Sequence, residues 1–173
     1  KAITYMDYRV KEDYEYLIRN KIVLDKNNLG YDQIQYLYAR SYFLSLSVPN
    51  DCKAAFEYYK KLSQKYWVDF NRYCQGMIGL ALLRYDDGKT PAEILKSLQE
   101  RALLSDEMGM YWKDNYGYYW WEAPIETQAL MIEFYSEMNP KDIGVLNNLK
   151  TWLLKSKQTQ DFGTTKATAD ACF

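Results

Sequence analysis

The feature that most constrains this chain is an alternation between two kinds of helical segment. Segments starting near residues 31, 71, 124 and 166 are apolar on several faces or rich in small residues. The segments between them, at 1–20, 51–66, 90–102 and 140–157, each carry one apolar stripe and one polar face. A helix that is apolar nearly all round has to be covered on most sides, whereas a one-sided helix covers others and faces water. With a long aromatic loop set aside, the starts recur about every 40 residues, the period of stacked helical hairpins. The rhythm therefore predicts an all-α fold of about eight helices. They would form the inner and outer rows of an α/α toroid or a helical solenoid, as a single helical domain over 1–173.

Local signals set the expected boundaries. Met6, Val10 and Leu17 recur at helical spacing in the first segment, and Asn27, Asn28 and Gly30 then make a turn. Ile34, Leu37, Tyr38, Ser41 and Tyr42 mark a second helix expected to run over 31–46, ended by Val48-Pro49-Asn50. Asp51 is a good N-cap type for the third helix. The fourth, over 71–84, contains the stretch Gly76–Leu83, whose two glycines would let neighbouring helices approach closely. Thr90, Pro91 and Glu93 read as a capping box with proline in the first turn of the fifth. Residues 105–123 lack a helical period and are expected to form a long loop. Pro124 opens the sixth helix, expected to end at Met138. A seventh is expected over 140–157 and an eighth from about 166.

Composition excludes several kinds of chemistry. Lysine and arginine total 22 against 23 acidic residues, for a net charge of −1, so there is no basic excess to neutralise phosphates. Nucleic acid and anionic membrane surfaces are therefore poor partners for this segment. The longest uncharged apolar run, Tyr73–Leu83, falls well short of the ~18 residues of a membrane span. No signal peptide is visible, and the chain reads as an excised piece of a longer protein. Histidine is absent, which removes the commonest general base and metal ligand. Cys52, Cys74 and Cys172 are far apart, form no metal-binding spacing, and are expected to be small buried hydrophobes. No phosphate loop, nucleophile elbow or calcium loop is present, and no cofactor is expected.

Two stretches carry a family resemblance. The first is Tyr118-Tyr119-Trp120-Trp121-Glu122-Ala123-Pro124-Ile125-Glu126-Thr127-Gln128-Ala129-Leu130. The second runs from Leu149 through Trp152, Gln158 and Phe162 to Thr164-Thr165-Lys166-Ala167-Thr168-Ala169. Together they resemble the thioester-type domain of bacterial alpha-2-macroglobulins, an α/α toroid related in shape to terpenoid cyclases. The likeness covers about 60 residues; upstream, only the helical rhythm agrees. It implies a non-enzymatic part of a protease-trapping endopeptidase inhibitor at the periplasmic or extracellular face of the bacterial cell envelope. The implied partners are neighbouring domains of the parent chain and, through the parent, target proteases. The family's thioester needs Cys-Gly-Glu-Gln, and none of the three cysteines here is followed by it. No functional residue of the family therefore transfers to a numbered position. A toroid segment of this length is expected to be an open arc.

The aromatic loop over 110–122 is the sharpest local feature. Eighteen tyrosines and five tryptophans are many for 173 residues, and such rings serve both cores and contact surfaces. Trp112, Tyr119, Trp120, Trp121 and Glu122 are the candidate contact surface, for a neighbouring domain or for stacking on sugar rings. The competing expectation is a loop that plugs the toroid or caps helix ends. A carbohydrate-active toroid and a helical-repeat interaction module are the alternatives to the protease trap. Asp106, Glu107, Glu122 and Glu126 could be drawn as a glycosidase pair. Glu122 and Glu126, however, flank a helix start, where the dipole alone favours acids.

Overall fold

The computed structural model describes residues 1–113, 124–159 and 165–173. Among the described residues the fold is all-α, with eight α-helices and one small hairpin. The helices are α1 Ala2–Arg19, α2 Tyr31–Ser41, α3 Lys53–Tyr66, α4 Arg72–Arg84, α5 Thr90–Glu100, α6 Pro124–Met138, α7 Ile143–Thr159 and α8 Thr165–Cys172. The hairpin strands are β1 Leu103–Ser105 and β2 Gly109–Tyr111, and a 3-10 turn, Trp67–Asp69, links α3 to α4. No described helix is long and apolar enough to cross a membrane.

The even-numbered helices form a row in which α2 packs on α4, α4 on α6 and α6 on α8. The odd-numbered helices pack onto that row: α1 and α3 on α2, α3 and α5 on α4, and α7 on α6. The core lies where the two sets meet. In α4, every residue from Tyr73 to Leu82 is buried, as an all-round apolar sequence requires. Its start is fixed by Asn71, whose Oδ1 accepts from the Cys74 N–H at 2.9 Å. A Cβ on Gly79 would overlap the Phe134 ring of α6, and one on Gly76 would meet Met131 and Leu130. The α4–α6 spacing thus depends on both glycines.

Several boundaries differ from expectation, each for a visible reason. α2 stops at Ser41, not 46. Arg40, only 2% exposed, donates to the carbonyl oxygens of Phe43, at 2.6 Å, and of Leu46. Those carbonyls turn back on the arginine, leaving Tyr42, Phe43, Leu44 and Leu46 exposed. Asp51 does not cap α3: Lys11 of α1 donates to its carboxylate at 2.8 Å, and Cys52 is the N-cap position. Thr90 does not cap α5 either, because it lies inside the helix. Asp87 Oδ1 instead accepts from the N–H groups of Lys89 and Thr90, at 3.0 and 3.1 Å.

The expected loop over 105–123 begins with the hairpin, which pairs Leu103 with Tyr111 and Ser105 with Gly109. Gly109 has φ +71, which a side chain tolerates poorly, and a Cβ there would strike the Asn148 carbonyl of α7. Tyr111 stacks on Trp152 with ring centroids 6.2 Å apart. The hairpin therefore lies against α7. The cysteine expectation holds for Cys52 and Cys74 but not for Cys172, which is exposed because α8 buries only Ala167.

Candidate functional site

α6 is the element around which the site is organised. Its first turn carries Glu126, and its middle, Thr127–Ile132, is apolar on several faces, so the acid is covered along with its neighbours. Gln128, 2% exposed, donates through Nε2 to the carbonyls of Met110 and Leu149, each at 2.9 Å. One buried amide thus ties β2 and α7 to α6, satisfying two main-chain acceptors that burial would otherwise leave costly.

On the other side of α6, toward α2, α4 and α8, a half-open cleft of about 420 Å3 runs along the helix. Leu130, Ile132 and Leu153 form its apolar wall, with Phe173 at its edge. Tyr73, Glu126, Lys166 and Asp170 form one polar end, and Tyr38 and Glu133 lie farther along. Glu126 and Glu133 are two turns apart on α6, roughly 10 Å along its axis. A cleft of this size with apolar walls and a few convergent polar groups is the usual form of a ligand pocket.

The two ends differ in charge. At the far end, Arg84 of α4 donates to Glu133 at 2.6 Å and to Glu137, while its guanidinium lies over the Tyr42 ring at 4.1 Å. The hydroxyls of Tyr38 and Tyr42 also donate to Glu133. Burial works against the arginine's charge, and the hydrogen bonds to Glu137 and Glu133 outweigh it, raising its pKa. One guanidinium shared by two carboxylates, with two tyrosine hydroxyls on Glu133, braces α2, α4 and α6 together.

At the near end, Lys166 Nζ donates to Asp170 at 2.5 Å and to the Tyr73 hydroxyl at 3.4 Å, and lies 5.5 Å from the centre of the Tyr73 ring. Burial works to lower the Lys166 ammonium, but Asp170 and Tyr73 outweigh it and hold it above the ordinary lysine range. Burial raises the Tyr73 hydroxyl most, with Lys166 opposing. Glu126 is 4% exposed, and its charge also acts on Tyr73. No described residue donates a hydrogen bond to its carboxylate.

Of the sequence candidates, Trp112 is 4% exposed, and its Nε1 donates to the Leu98 carbonyl at 2.9 Å. Its ring lies beside Tyr135 of α6 in the core, so its described contacts are with that ring and the carbonyl near the end of α5. Tyr119, Trp120, Trp121 and Glu122 lie outside the described residues. Asp106 and Glu107 are exposed in the hairpin turn, far from sharing a buried site with Glu126. The residues of the cleft that sequence reading missed are Tyr73, Lys166 and Asp170. The signal available for Glu126 was its place in a helix with no polar face. No family model matches this chain, and no curated protein matches it.

Proposed function

We propose that this chain is a toroid segment of a bacterial alpha-2-macroglobulin-like protein, a non-enzymatic part of an endopeptidase trap at the periplasmic or extracellular face of the cell envelope. The observation that carries the reading is the row α2–α4–α6–α8, each helix packed on the next with the odd-numbered helices outside it. That arrangement is what successive hairpins of an α/α toroid require, and fold likeness of this kind bears on architecture more than on activity. A second support is Gln128, the glutamine of the aromatic-proline stretch that carries the resemblance. Its amide donates to main-chain carbonyls of β2 and α7, so this glutamine serves assembly of the domain. In this reading, neighbouring domains of the parent chain cover the exposed edges, and proteases are met through the parent.

The test uses the full natural polypeptide that contains this chain. It is incubated with an endopeptidase of broad specificity, and activity is followed on a protein substrate and on a small peptide substrate. A trap should remove most cleavage of the protein substrate while sparing the peptide, because the caged enzyme still admits small molecules. Equal activity on both substrates, with several unrelated endopeptidases, would overturn the reading.

A further inference from the structure

The cleft beside α6 holds a charge that no described residue answers with a hydrogen bond. Its lining contains three carboxylates, Glu126, Glu133 and Asp170, and one ammonium, Lys166. Glu133 pairs from behind the wall, at 2.6 Å, with Arg84, which it shares with Glu137, and Lys166 pairs with Asp170 at 2.5 Å. Glu126 is left. Its place in the first turn of α6 accounts for an acid there, since the positive end of the helix dipole favours negative charge. It does not account for the burial. Glu126 is 4% exposed, lines a half-open cleft, and receives no hydrogen bond from any described residue. A cationic ligand in the cleft would give this carboxylate the charge-assisted hydrogen bond that no described residue supplies.

The surroundings specify the cation. The wall beyond Glu126 is aliphatic: Leu130 and Ile132 from α6 and Leu153 from α7. Such a slot suits an unbranched hydrocarbon stem. The same end already hosts one alkylammonium, because Lys166 Nζ sits between the Asp170 carboxylate, the Tyr73 hydroxyl and the face of the Tyr73 ring. That is the combination of charge-assisted hydrogen bond and aromatic face by which ammonium groups are recognised. We propose that the cleft binds a protonated primary amine carried on an unbranched aliphatic chain, with the ammonium on Glu126 and the chain along Leu130, Ile132 and Leu153. The ligand is either a free alkylamine or the side chain of a lysine in a peptide, and the chemistry at Glu126 is the same for both. The site is independent of the protease-trap reading.

The test is a titration of the 173-residue protein with hexylammonium, followed by calorimetry and by amide chemical shifts, with sodium hexanoate as the anionic control. Saturable shifts confined to residues of α6, α7 near Leu153, α8 and the start of α4 are expected with the amine and not with hexanoate. A short blocked peptide with one lysine between two leucines separates the sources. Tighter binding of the peptide assigns the site to a protein side chain, and binding of hexylammonium alone assigns it to a small amine. Glu126→Gln keeps the shape and removes the charge; it should weaken binding roughly ten- to a hundred-fold, the worth of a hydrogen bond to a charged group. Ala129→Leu, which fills the half-buried wall while leaving Glu126 in place, should abolish binding even if the glutamine variant fails to fold. Binding of hexanoate as tight as that of the amine, unchanged affinity in either folded variant, or no saturable binding of either amine would each overturn the proposal.

Discussion

Asp7 and Arg40 are each 2% exposed and face one another across α1 and α2, with Arg40 Nε donating to Asp7 Oδ1 at 3.1 Å. The Tyr36 hydroxyl donates to the same oxygen at 2.7 Å. Burial most strongly, and then the Asp7 hydrogen bond, push that hydroxyl well above the ordinary tyrosine range. The remaining guanidinium hydrogens hold the carbonyls of Phe43 and Leu46, so a single side chain fixes both the helix packing and the turn after α2. A buried pair of this kind contributes little against a well-packed apolar alternative, but losing one partner leaves the other charge unpaired, at a cost of about 3–5 kcal/mol. Asp7→Ala should therefore lower the urea unfolding free energy by about that amount. A loss below roughly 0.5 kcal/mol, the scale of an ordinary surface change, would show that water reaches the pair.

At the scale of elements, α5 illustrates how a cap can sit outside its expected place. The Asp87 carboxylate accepts from the main-chain N–H groups of Lys89 and Thr90 and from Gln64 of α3 at 2.9 Å. Burial works to raise this carboxyl, and those hydrogen bonds outweigh it, holding it below the usual carboxylate range. A depressed folded-state pKa means that stability is present above the unfolded value, about 3.9 for aspartate, and is lost as pH falls through the lower folded value. Asp87→Asn retains an acceptor without the titration. The gap in melting temperature between the two proteins should stay constant from pH 7 to about pH 4 and shrink below it. A gap unchanged down to pH 2.5 would mean that the charge contributes nothing to the cap. The sequence made α5 legible through Thr90-Pro91 and mistook only the capping residue, because both Asp87 and Thr90 are good N-cap types. The helices α4 and α6 were the most legible, since an apolar stretch opened by Asn71 or Pro124 leaves one reading. The hairpin was not legible. Its strands have three residues each, and Leu103 and Leu104 are both exposed, so no period of two develops. The cleft was legible only in part, because Tyr73 and Lys166 are brought together by packing of α4, α6 and α8 and by no pattern local to either.

For the whole molecule, the row of even-numbered helices implies a gradient of stability along the chain. α4 has helices on both sides of it in the row and two more packed on it, and Leu80 and Leu82 are completely buried. α8 packs on α6, and of its eight residues only Ala167 is buried. Its Lys166–Asp170 pair is about one-third exposed on each side, so solvent screens it and it adds little to holding the helix. Opening α8 exposes little apolar surface, whereas opening α4 takes apart the packing of α2, α3, α5 and α6 with it. Such differences appear in native-state hydrogen exchange as separate opening free energies. Amides of Leu80 and Leu82 should exchange only through global unfolding, with protection that falls in step with the equilibrium unfolding curve as urea is added. Amides of Thr168 to Ala171 should exchange through a local opening that is nearly independent of urea, because little surface is exposed. Occupation of the cleft by an alkylammonium would add contacts to α6 and α8 together, and should raise protection in α8 selectively. Equal protection in α4 and α8 without ligand would show that the row unfolds as one cooperative unit.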